Sequence, residues 1–203
     1  LSQIRDTLME MAGLVEVQVN NACTSLVNHD MELAEEVRDV ESRLNQFEVD
    51  LDDRCVSIIA KRQPTAGDLR AIVSVMKVIT DLERIGDEAD RIAKMALDLA
   101  DSEKPEHQYA EFRAIHVNVM KMLKRTLDAF ARLDVESALR VFEDDENIDR
   151  AYNKIVRQSI ETMQSNPQEV ERSVSLMWAA RALERIGDHA KNISEYVIYQ
   201  VKG

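Results

Sequence analysis

The chain has 203 residues, 26 of them basic and 38 acidic, for a formal charge of −12. Charged residues make up 32% and the apolar set 45%, while aromatics are only 4%, with five Gly and three Pro. So few turn formers among so many Ala, Leu, Glu, Arg and Met exclude a sheet protein and predict long helices. The acidic balance argues against a nucleic-acid partner, because phosphate backbones are held by clustered Lys and Arg. It suits a protein that binds cations or basic protein surfaces.

No apolar run approaches the roughly 18 residues of a membrane span, and no secretory pattern opens the chain. The expectation is a cytoplasmic protein that is not an integral membrane protein. The chain opens at Leu1 with no Met, which implies a trimmed N-terminus. Cys23 and Cys55 fall inside helical stretches without metal or redox spacing, and are read as small buried hydrophobes kept reduced.

Pro64, Pro105 and Pro167 punctuate the chain, and the stretches between them carry 3.6-residue periodicity. Ile4, Leu8, Met11, Val15, Val19, Ala22 and Leu26 form the stripe of a first helix that ends near Asn28-His29-Asp30. A second helix runs from Asp30 to about Lys61 through Leu33, Val37, Leu44, Leu51, Cys55 and Ile58. Thr65-x-x-Asp68 resembles a capping box and opens a third, which reaches to about Asp101. After Pro105 the order recurs. A fourth helix carries Phe112, Ile115, Val119, Leu123 and Phe130, and a fifth starts at Asp134 and runs through Ala138, Phe142, Ile148, Ile155 and Met163. Asn166-Pro167-Gln168-Glu169 has the form of a complete helix start, with N-cap, Pro at N1 and Glu at N3. The sixth helix then ends at Gly203.

Helices this long, joined by short turns, fold back antiparallel and bury their stripes on one another. The repeat is visible in the letters. Leu82-Glu83-Arg84-Ile85-Gly86-Asp87 returns unchanged as Leu183-Glu184-Arg185-Ile186-Gly187-Asp188, while Asp30 matches Asp134 and Pro64 matches Pro167. An internal duplication explains this economically. The chain is therefore read as an all-α protein of two antiparallel three-helix bundles related by a pseudo-two-fold, residues 1–102 and 103–203.

Glu83 with Asp87, and Glu184 with Asp188, stand at i and i+4, so both carboxylates of a pair leave one helix face. Like charges at this spacing destabilise a helix by a few tenths of a kcal/mol, and an interior Gly costs about 1 kcal/mol relative to Ala. Both penalties occur in both copies. The helical wheel places the acids beside the packed seam, where Gly86 and Gly187 let a neighbouring helix or an ion approach. The second helix offers Glu41, Asn45 and Glu48, and the fifth offers Asp145 and Asp149. Oxygen-only donors favour Mg²⁺, Mn²⁺ or Fe, and less comfortably Zn²⁺. The competing reading is that Arg84 and Arg185 pair with these acids and merely knit helices together.

The doubled Leu-Glu-Arg-Ile-Gly-Asp, the entry segment Met11-Ala12-Gly13-Leu14-Val15-Glu16, the later Asp30-Met31-Glu32-Leu33-Ala34 and the ending from Glu195 to Gly203 together resemble the PhoU family over nearly the whole chain. The resemblance implies two symmetry-related three-helix bundles that bind metal through Glu/Asp-x-x-x-Asp pairs. It also implies a cytoplasmic homodimer that represses the phosphate-starvation response. Such a protein links the phosphate ABC transporter, through its ATPase PstB, to the sensor histidine kinase PhoR, and is not itself an enzyme. Carried over, Glu83 and Asp87 match the first motif, Glu184 and Asp188 the second, and Asp145 and Asp149 its partner on the fifth helix. Glu41 with Asn45 departs from the pattern, since Asn is an uncharged and weaker ligand. Asp90 is replaced by Lys191 in the second copy and Asp81 by Ala182, so the two sites need not bind equally.

Two other classes compete. A carboxylate-bundle enzyme of the di-iron type needs Glu-x-x-His elements, and none stands before His29, His107, His116 or His189, which are read as exposed or helix-terminal. A helical adaptor without metal would show a narrower a/d seam than these stripes.

Overall fold

The computed structural model describes residues 2–100 and 109–203. They form six α-helices: α1 (Ser2–Asn28), α2 (Met31–Arg62), α3 (Ala66–Asp98), α4 (Ala110–Arg132), α5 (Val135–Ser165) and α6 (Val170–Lys202). The boundary expected at 102/103 lies outside the described residues, as do Pro105, His107 and the expected end of the third helix at Asp101.

The two halves start their second helices alike. Asp30 accepts a hydrogen bond from the Leu33 amide at 3.0 Å, and Asp134 accepts one from the Ser137 amide at 3.1 Å. Each satisfies one of the backbone donors left over at a helix start. His29, Gln63 and Leu133 carry positive φ at the turns. The left-handed region costs a residue with a Cβ roughly 1–2 kcal/mol, so the tertiary packing of the long helices must hold these turns in place. The third helices start differently from expectation. The Thr65 hydroxyl donates to the Asp68 carboxylate at 3.2 Å and makes no cap to a backbone amide, so the capping box is replaced by a side-chain pair. Asn166 does cap, accepting from the Gln168 amide at 3.2 Å, but the turn it opens is a single 3-10 turn over Pro167–Glu169 ahead of α6.

Nearly all of the periodic stripe is core. Met11, Val15, Val19 and Ala22 of α1, Ile72, Ile79, Leu82 and Ile85 of α3, Phe112 and Ile115 of α4, and Leu183, Ile186 and Ile193 of α6 are fully buried. Leu69 is exposed at the open start of α3. The reduced Cys23 and Cys55 are buried, and burial pushes the Cys55 thiol up to about 11. Within the first half α1, α2 and α3 pack on one another, and within the second α4, α5 and α6 do the same. The halves meet where α3 packs on α6 and α1 on α4. α2 therefore flanks one side of this central group and α5 the other. Each flank lies against the third helix of its own half, and the paired acids sit there. Among the described residues no helix is long and apolar enough to cross a membrane.

Candidate cation sites on the two flanks

Gly86 and Gly187 explain why the flanking helices come so close. A methyl at Gly86 would stand 2.5 Å from Leu44 Cδ1 and 3.2 Å from Gln18 Oε1, so the Leu44 side chain that packs there would have to move. At Gly187 the corresponding neighbour is Ile148 Cδ1 at 3.4 Å, with Asp145 Oδ1 at 3.7 Å. The space released by each glycine is taken by a side chain of the flanking helix. That close approach carries the acids of α2 toward those of α3, and the acids of α5 toward those of α6.

On the α2–α3 flank Glu83 is pushed above the usual carboxylate range by burial and then by Asp87, Glu48 and Glu41. Glu48 is raised by burial, Asp52 and Asp87, and Glu41 by burial, Asp90 and Asp87. The carboxylates of Glu41, Glu48, Glu83 and Asp87 thus lie near enough to repel one another. Arg84 opposes this for Glu48 and Glu83 and Arg38 does so for Glu41. Arg38 itself is engaged with Asp90 at 3.1 Å. Among the described residues, no ion pair joins any of the four acids to a Lys or Arg. Asn45 is exposed on α2 between Glu41 and Glu48.

The α5–α6 flank gathers Asp145, Asp149, Glu184 and Asp188. Burial raises Asp149, helped by Asp145 and Asp188; burial also raises Glu184, helped by Asp188, Asp149 and Asp145. Here cations are built in. Lys191 Nζ lies 2.5 Å from Asp145 Oδ2 and 3.6 Å from Asp188 Oδ1, and Arg181 reaches Glu184 at 2.7 Å. The hydrogen bond to Asp145 holds the Lys191 ammonium above the usual lysine range. Where α2 has Glu48, the matching position of α5 is Tyr152, and the Arg181 guanidinium lies over its ring at 5.8 Å. Glu184 Oε2 is buried with no hydrogen-bond partner.

Among the described residues, no group of three or more His, Cys, Asp or Glu stands at metal-ligand spacing. Mutually repelling carboxylates rest apart without a counter-ion. The donor chemistry nevertheless differs between flanks. Four acids free of ion pairs fit a hard divalent cation, whereas a cluster with an ammonium between two of its acids does not fit one as it stands. The salt-bridge reading is corrected in its details. Arg185 pairs with Glu88 of α3 at 3.2 Å, and among the described residues Arg84 forms no ion pair.

The sequence reading missed the seam between α3 and α6. Asp81 and Glu88 are buried there, 5% and 2% exposed. Asp81 is held by His189 Nδ1 at 2.7 Å and Asn192 Nδ2 at 3.2 Å, and Glu88 by Arg91 at 3.1 Å and by Arg185. Burial, with the Asp81 carboxylate nearby, pushes Tyr196 up to about 12. His29 ends its helix as expected, but His189 is mid-helix and largely covered, because Asp81 of the other half supplies its partner. His116 is half-buried, and burial depresses its pKa. Asp81 and Glu88 are charged residues on an otherwise apolar interhelical face, the one signal that could have found this seam.

The sequence profile of the PhoU domain matches residues 8–96 and again 112–197, one match in each half. The chain is 48% identical over 203 residues to the phosphate-specific transport system accessory protein PhoU homolog of Pseudomonas putida, covering all of this chain and 79% of that protein. It is 40% identical over 203 residues to the phosphate-specific transport system accessory protein PhoU of Escherichia coli K12, again along all of this chain and over 84% of the relative. Among solved structures, the crystal structure of PhoU from Pseudomonas aeruginosa superposes with a TM-score of 0.96 at 46% identity, covering 100% of this chain and 97% of that one. The phosphate transport system regulatory protein PhoU from Streptococcus pneumoniae gives 0.90 at 26% identity, covering 98% and 93%.

Proposed function

This chain belongs to the PhoU family, and from that premise we propose that it is a non-enzymatic accessory protein of phosphate-specific transport that restrains phosphate uptake and phosphate-starvation signalling. The observation that carries this reading is the match along all of this chain, at 48% identity, to a relative bearing the accessory-protein name. A PstB-like transporter ATPase and a PhoR-like sensor histidine kinase are the partners this role requires. The protein acts in the cytoplasm, as a homodimer.

The paired acids supply the chemistry of the surface. On the α2–α3 flank Glu41, Glu48, Glu83 and Asp87 would hold a divalent cation of the Mg²⁺, Mn²⁺, Fe or Zn²⁺ type, with Asn45 between the first two. The α5–α6 acids, Asp145, Asp149, Glu184 and Asp188, form the related cluster. A bound cation would cancel the repulsion that raises the α2–α3 carboxylates and turn that flank into a rigid polar docking patch. The long helices provide the frame that keeps the two flanks at a fixed separation. Partners are recognised through helix faces and charge complementarity.

The test is a pull-down of the tagged full chain from cells grown in phosphate excess. The transporter ATPase and the sensor kinase are expected to come with it. Recovery of neither, under conditions that retain an Escherichia coli relative's partners, would reject the role.

A further inference from the structure

The two flanks were copied from one motif but differ in how they handle four clustered acids. At the α3 position whose α6 counterpart is Lys191, the first half has Asp90, which Arg38 closes off at 3.1 Å. At the α6 position whose α3 counterpart is Thr80, the second half has Arg181, which pairs with Glu184 at 2.7 Å. Among the described residues, the α2–α3 flank is left with Glu41, Glu48, Glu83 and Asp87 carrying no ion pair. The α5–α6 flank has an ammonium bonded to Asp145 and within 3.6 Å of Asp188.

An ammonium with three donors satisfies carboxylate oxygens as a divalent cation does, with one charge fewer and at no free concentration of ligand. Because Lys191 is tethered one turn beyond Asp188, its effective concentration at the cluster is high. A divalent ion must displace it to enter. Of the remaining oxygens, Glu184 Oε2 is buried and unpartnered, and an entering cation would meet the Lys191 ammonium and the Arg181 guanidinium beside it. We propose that Lys191 is the resident cation of the α5–α6 flank, so that divalent metal binding is confined to the α2–α3 flank. Lys191 is then a specificity-determining residue that divides two ancestral sites into one metal-dependent and one metal-independent. The inference rests on the cation reading of the first flank given above.

Equilibrium dialysis of the full chain against Mn²⁺, with bound metal counted per chain, tests both together. In the wild type, Glu83→Ala with Asp87→Ala is expected to abolish binding, and Glu184→Ala with Asp188→Ala to leave it unchanged. Lys191→Asp, which restores the residue of the first half, is expected to add Mn²⁺ that survives Glu83→Ala with Asp87→Ala and disappears with Glu184→Ala. Lys191→Met serves the same purpose if the charge reversal lowers helicity by circular dichroism. Equal loss of Mn²⁺ from either double variant of the wild type overturns the proposal. So do folded Lys191 variants that take up no further Mn²⁺. If Glu83→Ala with Asp87→Ala leaves Mn²⁺ binding intact, the cation reading of the first flank fails, and the confinement fails with it.

Discussion

The α2–α3 flank and the α5–α6 flank share the letters Leu-Glu-Arg-Ile-Gly-Asp, a glycine that admits the flanking helix, and a cluster of acids between the two helices. In the first flank the acids stand against one another, with Arg84 acting only at a distance. In the second, Lys191 and Arg181 are bonded into the cluster. The lesson is that a duplicated motif fixes where charge is placed, while the residues around it decide whether the counter-charge is a side chain or comes from solution. An identical six-residue string is therefore no guarantee of identical chemistry, because what completes the string lies a turn away or on another helix.

That comparison is sharpened most by metal itself. Mn²⁺ at about 100 times its Kd should stabilise the wild type by about 2.7 kcal/mol, read as a rise in the urea midpoint, and Glu83→Ala with Asp87→Ala should remove the effect. Next, Lys191→Met in metal-free buffer strands the acids of the second flank. Breaking a buried pair costs about 3–5 kcal/mol, but Lys191 is 29% exposed and Asp145 10%, so solvent screening should reduce the loss to roughly 2 kcal/mol. The Tm should fall accordingly, and recover on adding Mn²⁺.

The glycines break the comparison from the packing side. Gly86→Ala drives a methyl to 2.5 Å from the buried Leu44 side chain and should cost about 1–3 kcal/mol of overpacking. Gly187→Ala meets only ordinary contact and should be neutral, or stabilising by up to about 1 kcal/mol through helix propensity. Chemical denaturation of the two variants side by side checks the difference in sign.

The smallest effect is on pH dependence. Glu41, Glu48 and Glu83 on one flank, and Asp149 and Glu184 on the other, are raised in the folded protein. The folded state then binds more protons than the unfolded one, and stability falls as pH rises through the raised values. Without metal the protein should gain stability as pH is lowered from neutral toward the ordinary 4.5 of Glu and 3.8 of Asp. Glu83→Gln should flatten this slope in urea unfolding followed across that range, and so should saturating Mn²⁺.

Most of the fold was legible because its signals are local. The stripes of α1 and α4 name their own core, and Asp30 and Asp134 announce the starts of α2 and α5 by a chemistry confined to three residues. The start of α6 was misread by one turn because Pro at N1 fits a 3-10 turn as well as an α-helix. The acids of both flanks were found from i, i+4 spacing. Asn45 was the visible departure, and Lys191 was visible as a substitution for Asp90. Its role was hidden, because it depends on Asp145, 46 residues away on α5. The α3–α6 seam was hidden for the same reason, Asp81 and His189 being 108 residues apart.

The asymmetry of that seam has a further consequence for the molecule's ancestry. His189 occupies the position that Glu88 holds in the first half, and Ala182 the position of Asp81. Two copies of the first half docked in the present manner would bring Asp81 of one against Glu88 of the other, acid on acid, with no histidine to take the place of His189. Whatever self-associating unit once gave rise to this chain, its descendants have become complementary. Neither half can stand in for the other, and the seam closes only when one of each is present.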